Sequence, residues 1–229
     1  MRYFGGKFRT STQIANYINP LIGDKKYIEP FIGGSWVFSK IKANEKLGSD
    51  LNKYLSSLYN AILAGWEIPD TITKELYTKI KNNKDKYPEE LVAFVGFGCS
   101  FSGKWFGGYA KSADRNYALN AKNSLIKKSK GFENSTFQYK DYRDYNVKDC
   151  IIYCDPPYDE TTKFDAIGNF NTAEFWQTMR KWSKDNIVFI SEYIAPDDFE
   201  ILLEMPTKMD MHTKNGKEMR VEKLFKLRT

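Results

Sequence analysis

The most chemically pointed feature of the sequence is Asp155-Pro156-Pro157-Tyr158, directly after the apolar run Asp149-Cys150-Ile151-Ile152-Tyr153-Cys154. Two prolines fix φ and remove two backbone donors, so this loop is stiff and turns its carbonyls outward. A carboxylate, a proline carbonyl and an aromatic ring are thereby held at the carboxyl end of a strand, where open α/β sheets bind ligands. An exocyclic amine can donate one hydrogen to Asp155 and one to the Pro156 carbonyl while its base stacks on Tyr158. The nitrogen lone pair is then aimed at an electrophile. A tight Pro-Pro turn with a capping Asp is the structural alternative.

A second cluster, Glu29-Pro30-Phe31-Ile32-Gly33-Gly34-Ser35, puts a glycine turn after a short strand, which lets a ligand approach the backbone closely. It lacks the G-x-G-x-x-G spacing of dinucleotide folds, so a nicotinamide cofactor is disfavoured. Asp50 lies 21 positions after Glu29, at the end of the next expected strand. An acid at that separation commonly receives ribose hydroxyls. Taken singly, each of these residues also fits an ordinary turn or helix cap.

Other chemistries are poorly supplied. Three cysteines (Cys99, Cys150, Cys154) are an odd, sparse set, which argues against a disulfide framework, and a single histidine, His212, leaves no zinc cluster and no Ser-His-Asp or Cys-His arrangement. No metal site is expected. Lys plus Arg at 35 against Asp plus Glu at 29 gives a formal charge of +6, which weakly favours a polyanionic partner. Hydrophobic residues at 41% and aromatics at 16% exclude a disordered chain. The longest apolar stretches (91–101, 187–190) fall well short of the ~20 residues that span a bilayer. The opening residues carry no apolar signal region. A soluble, cytoplasmic protein without membrane contact is expected.

These groups need a scaffold, and the pattern supplies one. Ser11 to Ile18 reads as a helix, Lys26 to Phe31 as a short buried strand, and Ser35 to Ala43 as helical. Leu47 to Asp50 reads as a second strand and Asn52 to Leu63 as a helix. This is the opening of a doubly wound α/β sheet. From Trp66 to Asn134 the chain turns to Lys, Ser, Gly and aromatics, with helical patches at Thr73 to Lys81, Glu89 to Phe97 and Asn116 to Ser129. The α/β pattern then returns: strands at Thr136 to Tyr139, Asp149 to Cys154 and Asn186 to Ser191, with a helix at Thr172 to Trp182. Phe199 to Leu203 reads as helical, and the last two segments as a closing hairpin. The expected organisation is a catalytic domain, 1–65 and 135–229, interrupted by a mainly helical insertion, 66–134.

In order, the chain carries Tyr3-Phe4-Gly5-Gly6-Lys7, Glu29-Pro30-Phe31-Ile32-Gly33-Gly34, Asp50-Leu51-Asn52 and Asp155-Pro156-Pro157-Tyr158. This set resembles the Dam-type (D12 class) adenine-N6 DNA methyltransferases, especially small phage and prophage members, and its motif order resembles their α group. The resemblance covers about two thirds of the chain. It implies a Rossmann-like S-adenosylmethionine-dependent methyltransferase sheet with an inserted target-recognition domain, and methyl transfer to adenine N6 in double-stranded DNA. Mapped onto this sequence, it implies cofactor contacts from Tyr3 and Lys7, a pocket lined by Phe31 and Gly33, and ribose binding by Asp50. Phe137, with Asp141-Tyr142, falls where the cofactor's adenine is often held. The resemblance further implies that Asp155 lies between cofactor and amine, and that Asp155, Pro156 and Tyr158 form the catalytic loop. The chain departs from the family pattern at Gly34-Ser35, where a second glycine is usual, and at Ser191-Glu192-Tyr193, where Ser-Asn is common.

The insertion is the expected DNA reader. Its loop Phe97 to Tyr109 mixes glycines, hydroxyls and rings, and Ser100, Ser102, Lys104 and Trp105 are candidates for contacting base edges or wedging a ring into a duplex. Arg115, Lys122, Lys127, Lys128 and Lys130 are candidate phosphate contacts. Packed rings and a solvated helix face are the plainer readings of the same residues. Adenine inside a duplex hides its amine, so base flipping is expected. A monomer is expected, and with no nuclease motif in the chain any companion restriction endonuclease is a separate protein. The competing readings are a methyltransferase on another planar amine (cytosine N4, RNA or protein glutamine) and a DNA-binding homologue without catalysis.

Overall fold

A computed structural model describes residues 1–157, 170–208 and 219–228. Its frame is a seven-stranded sheet in the order β3-β2-β1-β4-β5-β7-β6. The strands are β1 (Lys26–Glu29), β2 (Lys46–Asp50), β3 (Ser135–Tyr139), β4 (Cys150–Cys154), β5 (Ile187–Glu192), β6 (Phe199–Lys208) and β7 (Met219–Leu227). The first five run parallel, and β7 enters antiparallel between β5 and β6. The chain builds outward from β1 to β3, then returns to lay β4 on the other side of β1. The order therefore reverses between β1 and β4, and the crevice beyond their carboxyl ends is where such Rossmann-like sheets take ligands.

Strand alternation sorts the core into two layers. Ile151 and Tyr153 join Tyr27, Phe137 and Phe189 on one face, whereas Cys150, Ile152 and Cys154 join Ile28, Val188 and Ile190 on the other. Both faces of β4 are buried, as a central parallel strand requires. The second face is covered by α6 (Thr172–Trp182), whose first turn is capped by the Asn171 side chain accepting from Glu174 N. The first face is covered by α1 (Ser11–Ile18), α2 (Lys53–Leu63), α3 (Lys74–Asn82), α4 (Glu89–Ala93) and α5 (Tyr117–Ser129). Asn52, Thr73 and Asn116 cap α2, α3 and α5 in the same way as Asn171 caps α6. Side chains of α3, α4 and α5 join the same buried cluster as α2 and the sheet face beneath it.

Three expected elements differ. Ser35 to Ala43 is not a helix; only Phe38–Lys40 makes a 3-10 turn. The Asn19 amide donates to Lys40 O and accepts from Lys42 N, taking backbone groups that a longer helix would use. Glu89 to Phe97 is α-helical only to Ala93, then widens into a π turn, Phe94–Gly98. A Cβ at Gly96 would lie 2.4 Å from the Trp105 ring, so the turn opens where that indole packs onto bare backbone. Phe199 to Leu203 is not helical but the first half of β6. A bulge between Ile201 and Leu203 puts Leu202 and Leu203 both against the core, which hides the period of two in the sequence.

The end of α5 is fixed by contact. A Cβ built on Gly131 would lie 1.8 Å from the Ser39 carbonyl oxygen, a backbone atom that cannot swing aside. Gly131→Ala is expected to lower stability by ~3 kcal/mol, at the upper end of overpacking costs, read as a fall in the urea midpoint. An unchanged midpoint would mean that the helix end shifts without loss.

Candidate active site

Three strand ends meet at the crevice. From β4 comes Asp155, partly exposed; its Oδ1 is 2.5 Å from the ammonium of Lys7, which is 6% exposed. The same Nζ lies 2.9 Å from Glu222 Oε1 on β7, and Glu222 Oε2 accepts from Thr10 Oγ1 at 3.2 Å. Burial alone would lower the pKa of this lysine, but the adjacent carboxylates of Asp155 and Glu222 more than compensate and raise it above the ordinary lysine value. Deeper in the crevice, Tyr153 and Ser191 share a hydrogen bond at 2.7 Å. Glu29, at the end of β1, accepts from Tyr27 Oη at 2.8 Å; burial pushes its carboxyl upward, with Tyr27 opposing.

Beyond β1 the chain turns sharply. Gly33 has φ +40°, and a Cβ there would sit 3.0 Å from the Tyr3 ring. Tyr59 on α2 donates to Gly33 O at 2.6 Å. Gly33 N donates to Asp50 Oδ2 at 3.0 Å, and Asn52 N donates to Oδ1 at 2.9 Å. Burial raises Asp50 to about 6 against the pull of those two donors. Each carboxylate oxygen retains a second lone pair for a hydroxyl donor. Phe31 supplies an apolar wall, its ring 5.1 Å from Tyr142 and 5.9 Å from Phe175. A bare-backbone turn beside a ring, a buried acceptor carboxylate and an aromatic wall fit a nucleoside-bearing ligand.

The structure thus brings Tyr3, Lys7, Phe31, Gly33, Asp50, Asp155 and Pro156 to the carboxyl ends of β1, β2 and β4. Tyr158 lies outside the described residues. Phe137 requires correction as an adenine contact. It is 4% exposed, with its ring packed on Phe38, Tyr59 and Phe132 inside the helical layer. Its neighbours Thr136 and Gln138 are the outward residues of this edge strand. Tyr142, grouped with Phe137 in the sequence reading, is the ring that lies beside Phe31. Glu222 and Thr10 went unread in the sequence; the available signal was an acid two positions before Leu224 on the inward face of a strand.

The insertion's candidates divide. Ser102, Lys104, Arg115 and Lys127 are exposed. Ser102 stands at φ +55° beside Phe101, a ring 70% exposed. Lys122 is paired with Asp70 at 2.7 Å. Ser100 is a correction: it is buried, donates to Gly96 O at 2.7 Å and shares a bond with Tyr77 Oη, so it holds the loop and reaches no groove. Trp105 is another, since its ring is packed against Phe97, Phe106 and Tyr54. Lys128 is the clearest. It is 5% exposed, bonds Gly34 O and Ser35 Oγ, and lies 4.6 Å over the Trp36 ring. It grips the glycine turn, with its ammonium buried. Among the described residues no group of His, Cys, Asp and Glu could hold a metal ion, and no helix is long and apolar enough to cross a membrane.

The family model for D12 class N6 adenine-specific DNA methyltransferases matches residues 3–94 and 100–196. A DNA N-6-adenine-methyltransferase of Escherichia phage P1 is 24% identical over 196 residues, 76% of this chain and 26% of that protein. A DNA adenine methylase of Vibrio cholerae is 25% identical over 186 residues, 69% of this chain and 64% of that protein. The chain therefore spans less than two thirds of the length of either relative. Among solved structures, a putative RNA methyltransferase from Pyrococcus horikoshii aligns at 10% identity and a TM-score of 0.45, over 95% of this chain and 81% of that one.

Burial lowers the Lys128 pKa to about 7, opposed by the charge of Glu29. An unfolded lysine titrates near ~10.4. Between those values the unfolded chain binds more protons than the folded one, so this group makes stability rise with pH. Lys128→Met removes that contribution. The stability of the wild type relative to the variant is expected to grow as pH rises from about 7 toward 10, read from urea midpoints across the range. Parallel curves would show that the ammonium stays charged on burial.

Proposed function

The chain belongs to the D12 class N6 adenine-specific DNA methyltransferases, and from that premise we propose that it transfers the methyl group of S-adenosylmethionine to adenine N6 in double-stranded DNA. The observation that carries this reading is the meeting of Asp155 and Lys7 with the Gly33–Asp50 turn at one end of the sheet. Tyr3, Phe31 and Gly33 line the cofactor's place, and Asp50 accepts its ribose hydroxyls. When bound there, S-adenosylmethionine supplies an electrophilic methyl on a sulfonium.

The chain's own groups do the positioning. Asp155 and the Pro156 carbonyl hold the two hydrogens of the adenine amine, and Tyr158 stacks on the base. The amine nitrogen then presents its lone pair to the methyl. Most of the acceleration comes from fixing two reactants in line and from dipoles matched to charge developing on nitrogen. An amine within a duplex cannot reach this crevice, so the adenine is flipped out. Phe101, exposed at the tip of the insertion loop, is the ring assigned to the gap. Ser102 and Lys104 stand beside it at the groove, and Arg115 and Lys127 meet phosphates. We assign 66–134 to DNA reading and 1–65 with 135–229 to cofactor binding and transfer. The enzyme works as a monomer in the cytoplasm of a bacterial or phage-infected cell.

Labelled-methyl transfer to unmethylated DNA, followed by nucleoside mass analysis, tests the reading. N6-methyldeoxyadenosine is expected, falling by ~10³-fold or more in Asp155→Ala with DNA affinity retained. Unchanged turnover in that variant would sink the assignment. Transfer to RNA, cytosine or protein would relocate the substrate.

The Asp50 carboxyl adds a pH dependence. Both of its oxygens accept ribose hydroxyls only when it is ionised, and its pKa is raised to about 6. Cofactor affinity by calorimetry is expected to fall as pH drops from 7.5 to 5. Asp50→Asn should weaken binding about tenfold or more and flatten that profile. A flat wild-type profile would remove Asp50 from the ribose site.

A further inference from the structure

Ser35 sits where a side chain is costly. It is fully buried at φ +53°, a left-handed conformation that a residue other than glycine keeps only where its surroundings hold it. Ser35 N donates to Ile32 O at 2.7 Å and closes the turn from within. The other holds come from outside. Lys128 Nζ donates to Gly34 O and, at 3.2 Å, to Ser35 Oγ, which itself donates to Gly34 O at 2.8 Å. One residue earlier, Tyr59 takes Gly33 O and Asp50 takes Gly33 N. The conformation of Ser35 and the direction of the Gly33 N–H therefore belong to one hydrogen-bonded turn.

An ammonium is a costly group for this task. At 5% exposure Lys128 pairs with no carboxylate among the described residues; its partners are a carbonyl, a hydroxyl and the Trp36 ring, 4.6 Å away. A methionine of the same length would fill the space with no charge to bury. It could not hold two successive residues of the turn. We infer that Lys128 is a positioning residue for the cofactor: from α5 of the insertion it fixes Gly34 and Ser35, and so keeps the backbone of Gly33 in register with the Asp50 carboxylate. The inference rests on the proposed binding of S-adenosylmethionine at that turn. Without the ammonium, Ser35 relaxes toward negative φ, Gly33 N turns from Asp50, and the nucleoside loses its place. The loss falls on binding, not on the transfer step.

Calorimetry with S-adenosylmethionine and S-adenosylhomocysteine, which share the nucleoside, checks this. In Lys128→Met both affinities are expected to fall about tenfold, the worth of one strained residue, with their ratio unchanged. KM for S-adenosylmethionine should rise by the same factor while kcat stays near wild type. Adding Ser35→Gly to Lys128→Met removes the need for a hold and should restore both affinities to within about threefold of wild type. Lys46→Met removes another buried lysine, 3% exposed and 2.6 Å from Gly131 O just past the same helix. It should lower the melting temperature and leave both affinities near wild type. Ser35→Ala keeps the lysine but loses the hydroxyl; it should fall between wild type and Lys128→Met, and it carries the test if Lys128→Met does not fold. Unchanged affinities in Lys128→Met, or in Ser35→Ala where that one alone folds, would overturn the inference. So would no recovery in the double variant, an equal loss in Lys46→Met, or a fall in kcat with KM unchanged. A wild type that binds neither ligand would overturn it together with the cofactor's placing. If the wild type binds both ligands yet transfers nothing to DNA, the proposed function fails, and the affinities still decide the role of Lys128.

Discussion

An ammonium taken out of water must be met by charge and hydrogen bonds of equal quality, or it gives up its proton. Lys7 is the place where this chain accepts that demand, and the answer comes from three directions at once. The turn before α1 carries the lysine, the loop after β4 brings Asp155, and β7 brings Glu222. Moving any one of the three segments takes a partner from a charge held largely out of water.

A second set of contacts ties the insertion to that crevice. Lys128 from α5 holds the Gly34 carbonyl, Phe4 N donates to Gly103 O at 3.2 Å, and the rings of Tyr3 and Phe97 lie 4.9 Å apart. Residues of the insertion thus share a frame with residues assigned to cofactor. The shared hydrophobic cluster makes the helices of 66–134 a covering layer of the sheet, so the flanks of the glycine turn are built partly from the insertion.

How much of this could be read from the sequence depended on whether the signal was local. Cys150–Cys154 followed by Asp155-Pro156 announces itself, because a continuous apolar run broken by two prolines fits little else. The asparagine caps of α2, α5 and α6 are local as well, and those helices lie where their caps place them. Ser35 to Ala43 failed because a side chain from elsewhere, Asn19, takes its backbone groups. Phe199 to Leu203 failed because a bulge erased its alternation. Lys128 was misread for a physical reason: a lysine near a helix end looks the same in sequence whether it faces water or a carbonyl. Glu222 carried no motif at all, and its meaning is visible only when β7 is laid beside β5.

That arrangement of β7 has a temporal side. Thr10 and Glu222 are separated by 212 positions, and Lys7 and Asp155 by 148. Synthesis runs from the N-terminal side, so Lys7 is made before Asp155 and well before Glu222, and it waits without that second carboxylate until β7 is made. Once β5 is made and until β7 follows, Ile190, Ser191 and Glu192 present an unpaired edge, the kind of edge to which other chains add strands. Insertion of β7 pairs that edge and brings Glu222 to Lys7 in the same event. A nascent or truncated chain therefore lacks a finished crevice, and competence arrives all at once with the strand that also removes the hazard of aggregation.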